Sequence, residues 1–294
     1  MVLVIGEILM DIFPEYRRIG GAPFNFSYHL HQFGMPVKFI SRIGNDEPGK
    51  EIFDFLRRNE FNTEYIQTDP VHPTGKVMVH PDGRDGHEFE IIQDVAYDHL
   101  ELPESPAHAA GAGPDLIYFG TLIQRTPQAF RQIQHFLANR GPETKCFYDI
   151  NLRPGCYSRE TVVKSLEQTE ILKINHEEIS VLKNMLDVDL PEEEFPERLM
   201  KEYDISMISL TRGENGSRLI TPQSRHSISV PEFGPVVDTV GAGDAYAAVL
   251  ALGCLNDWPP QSILSAATEF SARVCQIQGA IPEDHAFYES FFNH

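Results

Sequence analysis

The chain has 294 residues, 41% of them hydrophobic, with 21 glycines, 21 prolines and a formal net charge of −19. That length can bury a substantial core as one large α/β domain or as two domains, and so acidic a chain argues against nucleic acid or an anionic membrane surface as partner. A phosphate ligand is not excluded, because bound Mg2+ and local amides can reverse the field inside one pocket.

In chain order, Met1-Val-Leu-Val-Ile-Gly-Glu-Ile reads as a first buried strand. It carries no basic leader and is too short for a signal-peptide core, so the expected location is cytoplasmic. Asp11 follows and ends a strand or faces a ligand. Gly20-Gly21 forms a turn or a ligand-side approach, and Asn25 caps a helix over Phe26–Phe33 or binds a polar group. Residue types alone leave these alternatives even. From about Tyr65 to Asp98 the pattern becomes a hairpin with alternating faces, Thr74-Gly-Lys-Val-Met-Val-His then His87-Glu-Phe-Glu-Ile-Ile, read as a small β insertion over the strand ends. A Pro, Ala and Gly loop at 103–114 returns the chain to the main sheet.

Beyond residue 115, Leu116-Ile-Tyr-Phe, Lys145-Cys-Phe-Tyr-Asp, Ile171-Leu-Lys-Ile-Asn and Met207-Ile-Ser-Leu alternate with amphipathic segments. That order predicts a mainly parallel sheet with helices on its faces. Ligands collect at the carboxyl ends of such strands, which makes Asp149-Ile-Asn151, Asn175 and Thr211 candidates by position. No run approaches the ~18 apolar residues that span a bilayer. Cys146, Cys156, Cys254 and Cys275 lie far apart without metal-ligand spacing and read as reduced thiols.

The most informative stretch is Asp238-Thr-Val240-Gly241-Ala242-Gly243-Asp244 and the apolar helix after it. Backbone N–H groups at a helix start have no intrahelical partners, and small residues let them face an anion. Asp244 beside them suits phosphoryl transfer: the amides stabilise the moving charge while the carboxylate takes the hydroxyl proton. The tripeptide alone is weak evidence, since residues 111–113 repeat it before Pro114 and a strand. Asn175-x-x-Glu178 likewise has capping-box spacing.

Gly20-Gly-Ala-Pro-Phe-Asn25, Gly44-Asn-Asp46-Glu-Pro-Gly49, Asn175-His-Glu-Glu178 and Asp238–Asp244 together resemble the PfkB sugar kinases, the ribokinase-like family, over essentially the whole chain. Gly-Gly-Ala-Pro with Asp149-Ile-Asn-Leu-Arg153 is similar to the fructokinase branch. The resemblance implies an α/β fold of three layers, α/β/α, as a single domain over 1–294 with a β lid from about 12–20 and 65–98. It implies ATP-dependent phosphorylation of a sugar hydroxyl, with Asp244 as base and Gly241, Ala242 and Gly243 as anion hole. Asp11, Gly21 and Asn25 match sugar-binding positions. Asn175 and Glu178 match residues near Mg2+ and the phosphates, contacting the ion through water.

The same resemblance relates Thr211, Gly213 and Gly216 to the nucleotide turn and Thr268 to adenine. It relates Asp238, Val240 and Gly279 to a monovalent cation, K+ in many members. Lys173 and Arg153 add positive charge or stay solvated. The chain departs from the pattern in its short interval Phe13–Ile19, which leaves a lid-mediated homodimer open, and in Phe24 and Phe26, which pack in the core or narrow the acceptor pocket. Arg125 is expected to favour an acidic or phosphorylated acceptor over a neutral hexose. The leading expectation is a fructokinase; the alternatives are a 2-keto-3-deoxygluconate or other ketose kinase, supported by Arg125 or Arg153 pairing with a carboxylate, and, from another class, a catalytically weak sugar-binding regulator.

Overall fold

Strands follow in chain order at Val2–Ile5 (β1), Leu9–Ile12 (β2), Arg17–Gly20 (β3), Val37–Gly44 (β4), Ile66–Asp69 (β5), Gly75–Pro81 (β6), His87–Ile91 (β7), Leu116–Gly120 (β8), Lys145–Asp149 (β9), Ile171–Asn175 (β10), Met207–Thr211 (β11), Ser217–Ile220 (β12) and Arg225–Ile228 (β13). They belong to a computed structural model that describes residues 1–81, 87–110, 113–231, 234–282 and 284–292. The expected turn of the β6–β7 hairpin, residues 82–86, lies outside those residues, as do 111–112 of the first Gly-Ala-Gly.

Nine strands form the main sheet in the order β13-β12-β11-β10-β9-β8-β1-β4-β5. From β11 to β5 every neighbour is parallel, and β12 and β13 close one edge antiparallel. Side chains of one strand alternate between two cores: Val2 and Val4 join one cluster, Leu3 and Ile5 the other. That period of two is what a strand covered on both faces by helices requires. Helices Ala22–Gln32, Ala242–Leu255 and Pro260–Val274 fill the first face, and Pro127–Ala138, Arg159–Leu166, His176–Met185 and Phe195–Tyr203 the second. The helix Ala242–Leu255 is buried along nearly its whole length because it lies between its two neighbours and the sheet, as its all-apolar sequence demands.

A second sheet of four strands, ordered β3-β2-β6-β7, is built from the residues read as a lid. Its bounds differ from expectation at both ends. It starts at Leu9 rather than 12, and residues 66–69 pair with β4 at the edge of the main sheet. The helix expected over 26–33 starts at Ala22, since Gly21 at φ 110° is its N-cap and Pro23 sits in its first turn. Asn25 is therefore inside the first turn, not a cap. The 103–114 loop contains the short helix Pro106–Ala110. Among the described residues no helix is long and apolar enough to cross a membrane.

Candidate active site

The strand order reverses between β1 and β8, and the crevice beyond their carboxyl ends is where an open parallel sheet binds ligands. A cleft of about 380 Å³ opens there, between the main-sheet strand ends and the small sheet. Asp11, Gly21, Asn25, Arg153, Asn175, Val240, Gly241, Gly243 and Asp244, all anticipated from sequence, line it.

One end is made of backbone. Gly241 N-caps Ala242–Leu255 at φ 77°, and a Cβ there would collide with Ala280. Both oxygens of Asp238 are used to shape this turn: Oδ1 accepts from the Val240 N–H at 3.0 Å and Oδ2 from the Gly279 N–H at 2.9 Å. The N–H groups of Gly241 and Gly243 carry no hydrogen bond among the described residues, and that of Ala242 makes a long one, 3.3 Å, to the Thr239 carbonyl. Behind the turn, burial pushes His29 down to about 3, so the ring is neutral: Nε2–H donates to the Ala280 carbonyl at 3.1 Å and Nδ1 accepts from the Tyr288 hydroxyl at 2.9 Å.

Lys173, which sequence could assign to either site or surface, is buried on β10 with Nζ 3.5 Å from where a Gly243 Cβ would stand. Its ammonium pairs with Asp149 Oδ1 at 2.8 Å, and the Tyr118 hydroxyl donates to Asp149 Oδ2 at 2.9 Å. Burial would lower the lysine pKa, but Asp149 and Glu178 outweigh it and hold the charge on. The amides of the turn thus face the cleft with a fixed cation beside them.

The other end is made of ionisable side chains. Burial pushes Asp244 up to about 7, against the bond it accepts from Asn25 Nδ2 at 2.8 Å. Among the described residues Asn25 Oδ1 is left as a buried acceptor without a partner, and Oε2 of Glu7, which lines the same wall just after β1, is unpartnered too. Glu7 is pushed by burial up to about 8, so it carries its proton at neutral pH. No sequence signal singled it out: it is one acid in an apolar run with no partner at a telling spacing. Burial raises Asp11 to about 6, with Arg153 and Arg18 opposing. Both N-terminal glycines have steric causes, since a Cβ on Gly20 would strike the Asp11 carboxylate and one on Gly21 the Glu7 carbonyl. Arg153 projects into the cleft from the loop after β9, its charge acting on Glu7, Asp11 and Asp244 together. Asn151 beside it is held at φ 39°, an uncommon value for a residue with a side chain.

Asn175 and Glu178 form the capping box in full: Asn175 Oδ1 accepts from the Glu178 N–H at 2.9 Å, and Glu178 Oε2 from the Asn175 N–H at 2.8 Å. Glu178 Oε1 also accepts from the Leu152 N–H at 2.9 Å. Each oxygen keeps a lone pair, so the acid fits an outer-shell contact to hydrated Mg2+ rather than direct ligation. Thr211 ends β11 opposite Asn175, and Gly213 at φ 54° has open space where a Cβ would stand. Gly216 is glycine for packing, because a Cβ would strike the Ile228 carbonyl.

Two expectations fail on geometry. Arg125 does not face the cleft: Nε and Nη2 donate to Asp98 Oδ1 and Oδ2 at 2.6 Å each, and Nη2 also to the Ile92 carbonyl at 2.8 Å, so it braces the segment returning from β7. The Thr268 hydroxyl bonds back to the Leu264 carbonyl at 2.8 Å and pairs with Ser217, inside the core and away from the cleft lining. Of the two alternatives for Phe24 and Phe26 the core holds: both are fully buried, Phe26 stacking on Tyr118 at 3.8 Å, and neither lines the cleft. The monovalent-cation turn of Asp238, Val240 and Gly279 is assembled, but Arg18 Nη1 lies 3.7 Å from Asp238 Oδ2 and against Gly279. A fixed positive charge there fits poorly with a bound K+.

The profile of the pfkB family carbohydrate kinases matches residues 2–286. The chain is similar to a 5-dehydro-2-deoxygluconokinase from Geobacillus kaustophilus, 24% identical over 89% of this chain and 78% of that one. It is similar to a fructokinase from Salmonella typhimurium, 24% identical over 93% and 91%. In fold it resembles a sugar kinase from Pyrococcus horikoshii solved in complex with ATP, with a TM-score of 0.80, 22% identity and coverage of 95% and 94%.

Proposed function

We propose, from the premise that this chain belongs to the pfkB family of carbohydrate kinases, that it transfers the γ-phosphoryl group of ATP to a primary hydroxyl of a ketose, with fructose as the acceptor and fructose 6-phosphate as product. The observation that carries this reading is the wall where Asp244, Asn25 and Glu7 meet. Two buried oxygens without a partner among the described residues, Asn25 Oδ1 and Glu7 Oε2, lie beside the carboxylate that faces the Gly241–Gly243 turn. An unpaired buried polar atom calls for a cause, and a polyol supplies it: a hydroxyl donates to Asn25 Oδ1, and another donates to the Glu7 carboxyl or accepts its proton in a hydrogen bond.

Asp244 accepts the hydroxyl proton as the oxygen bonds to phosphorus, and Asn25 holds the carboxylate in orientation. The N–H groups of Gly241 and Gly243, with Lys173 behind them, stabilise the charge on the transferred group. Asp11 and protonated Glu7 orient the sugar hydroxyls, and the small sheet covers the cleft as a lid that excludes water. Mg2+, when bound with the nucleotide near Asn175 and Glu178, supplies neutralisation of phosphate charge. Arg18 supports turnover without K+.

A second reading has its own observation. Arg153 offers a guanidinium to the cleft, which suits a keto-sugar acid whose carboxylate it binds. Both are tested by measuring ADP formation with Mg-ATP, in Na+ and in K+, across fructose, 2-keto-3-deoxygluconate, 5-dehydro-2-deoxygluconate and ribose. Fructose is expected to give the highest kcat/KM, and a keto-acid ahead of it overturns the first reading. Arg153→Gln is expected to raise KM about 10- to 100-fold for an acidic acceptor, the worth of a charge-assisted bond, with a smaller change for fructose.

A further inference from the structure

Away from the cleft, the two crossings between the sheets hold a side-chain cluster that phosphoryl transfer does not use. Residues 70–74 lead from β5 into β6, and 92–99 bring the chain back from β7. The crossings lie against each other, the Ala96 N–H donating to the Pro73 carbonyl at 2.8 Å. His72 stands on the outgoing crossing, Asp94 and His99 on the returning one. Asp94 Oδ1 is 2.9 Å from His99 Nε2 and 3.8 Å from His72 Nε2, and one ligand atom from each of the three lies within 4.8 Å of the others. Around a tetrahedral ion with bonds of about 2.0–2.2 Å, neighbouring ligand atoms stand roughly 3.4 Å apart, so the observed spacings bracket a coordination shell.

A built support lies behind it. His72 Nδ1 is 3.2 Å from Asp69 Oδ2, and buried Asp69 is itself held by the N–H groups of Val71 and His72 at 2.7 and 2.8 Å and by Arg42 at 2.8 Å. A carboxylate on one imidazole nitrogen fixes the tautomer and turns the other nitrogen into a ligand, as is usual behind metal-bound histidines. The two imidazoles stack with centroids 3.5 Å apart and planes 11° from parallel. Asp94 is held at φ 55°, a backbone state that costs energy for a residue with a side chain. His72 and His99 are both partly open to solvent.

We propose that His72, Asp94 and His99 bind a transition-metal ion of the Zn2+ class, pinning the outgoing and returning crossings of the small sheet together. Two imidazoles suit Zn2+, Co2+ or Ni2+ and not Mg2+, which keeps to oxygen, so the site is separate from any ion that accompanies the nucleotide. Three protein ligands leave a fourth position for water. Loading turns the rings out of their stack so that both Nε2 lone pairs converge on the ion. The ion would act on the mobility of the small sheet, not on the reacting atoms.

Zn2+ and Co2+ titrations of the full chain in excess Mg2+ test this. One ion retained per chain after desalting is expected, with a Co2+ visible spectrum of nitrogen and oxygen ligands and no thiolate charge-transfer band, which separates the site from the four cysteines. His72→Gln and His99→Gln are each expected to weaken binding more than about 100-fold, beyond the 10- to 100-fold that Asp69→Asn gives from behind the ligands. Both should keep ADP formation in Mg-ATP buffer free of transition metal, which shows that they fold; exposed Asp94→Asn is the third variant if either does not. Zn2+ should raise Tm in the parent and not in the variants. Retention no greater than in a His72→Gln/His99→Gln double variant, unchanged affinity in the single variants, or a thiolate band would each overturn the proposal.

Discussion

The two ends of the cleft are built by opposite means. The end around Gly241 is main chain: its shape comes from a left-handed glycine, from Asp238 accepting two amides, and from Ala280 packed where a Cβ would be. The end around Asp244 is side chain: three acids, an amide and a guanidinium whose charges act on one another. Backbone donors do not titrate, so the donors the first end offers do not change through neutrality. The second changes its charge near neutrality, because burial brings Asp11, Asp244 and Glu7 to about 6, 7 and 8.

The strongest way to break this contrast is Asp244→Asn, which keeps the shape and removes the proton acceptor. We expect kcat to fall about 100- to 10,000-fold with ATP affinity little changed; near-normal turnover would remove Asp244 from the role of base. Next is a pair of glycine variants in one turn. Gly241→Ala forces a side chain into the left-handed region and into Ala280, costing at least about 1–3 kcal/mol in denaturant unfolding. Gly243→Ala meets only the end of Lys173 and should stay within about 1 kcal/mol of the parent. Equal losses from the two would mean that the backbone hand of Gly241 is not what shapes the turn.

The smallest expected effect sharpens the acceptor end. Glu7 is raised from 4.5 to about 8 by burial, so between those values the unfolded chain has released a proton that the folded chain retains. Stability therefore falls as pH rises through that window and the loss is complete above about 8. Glu7→Gln should raise Tm at pH 8.5 and leave it nearly unchanged at pH 4.5. The kcat/KM for the sugar should climb with pH through about 7, and the same variant should leave that midpoint nearly in place, since Glu7 still carries its proton there. A midpoint moved well down in Glu7→Gln would mean that Glu7 is already charged when Asp244 titrates.

Much of this arrangement is legible in the sequence, for reasons that follow the same division. Turns that need glycine announce themselves, and Gly20, Gly21 and Gly241 prove to have steric causes in space. Alternating strands and helices predicted the parallel sheet, and strand-end position predicted Asn151 and Asn175 on the cleft. What was not legible depends on partners distant in sequence. Arg125 looks like a ligand-binding cation until Asp98 is seen to take it. Lys173 could have been surface, and only folding sets it over Asp149. Asp46 sits in a motif shared with the sugar kinases, yet it caps the helix Glu47–Arg58 and accepts from the Thr74 N–H at 3.0 Å, a structural tie to the start of the small sheet. The lid bounds were misplaced because a strand at the sheet edge, β5, and one in the insertion, β6, have the same local pattern.

The neutral His29 gives the far end of the chain a hold on the chemistry. Tyr288 hangs from the helix Ala286–Phe292, and through His29 and Ala280 it backs the Gly241 turn. Damage to the tail, by proteolysis or by a bulky fusion against that helix, should slacken the tether and dull phosphate handling while the sugar's own contacts stand. With His29 pushed down to about 3, acidification to any ordinary degree leaves the tether in place.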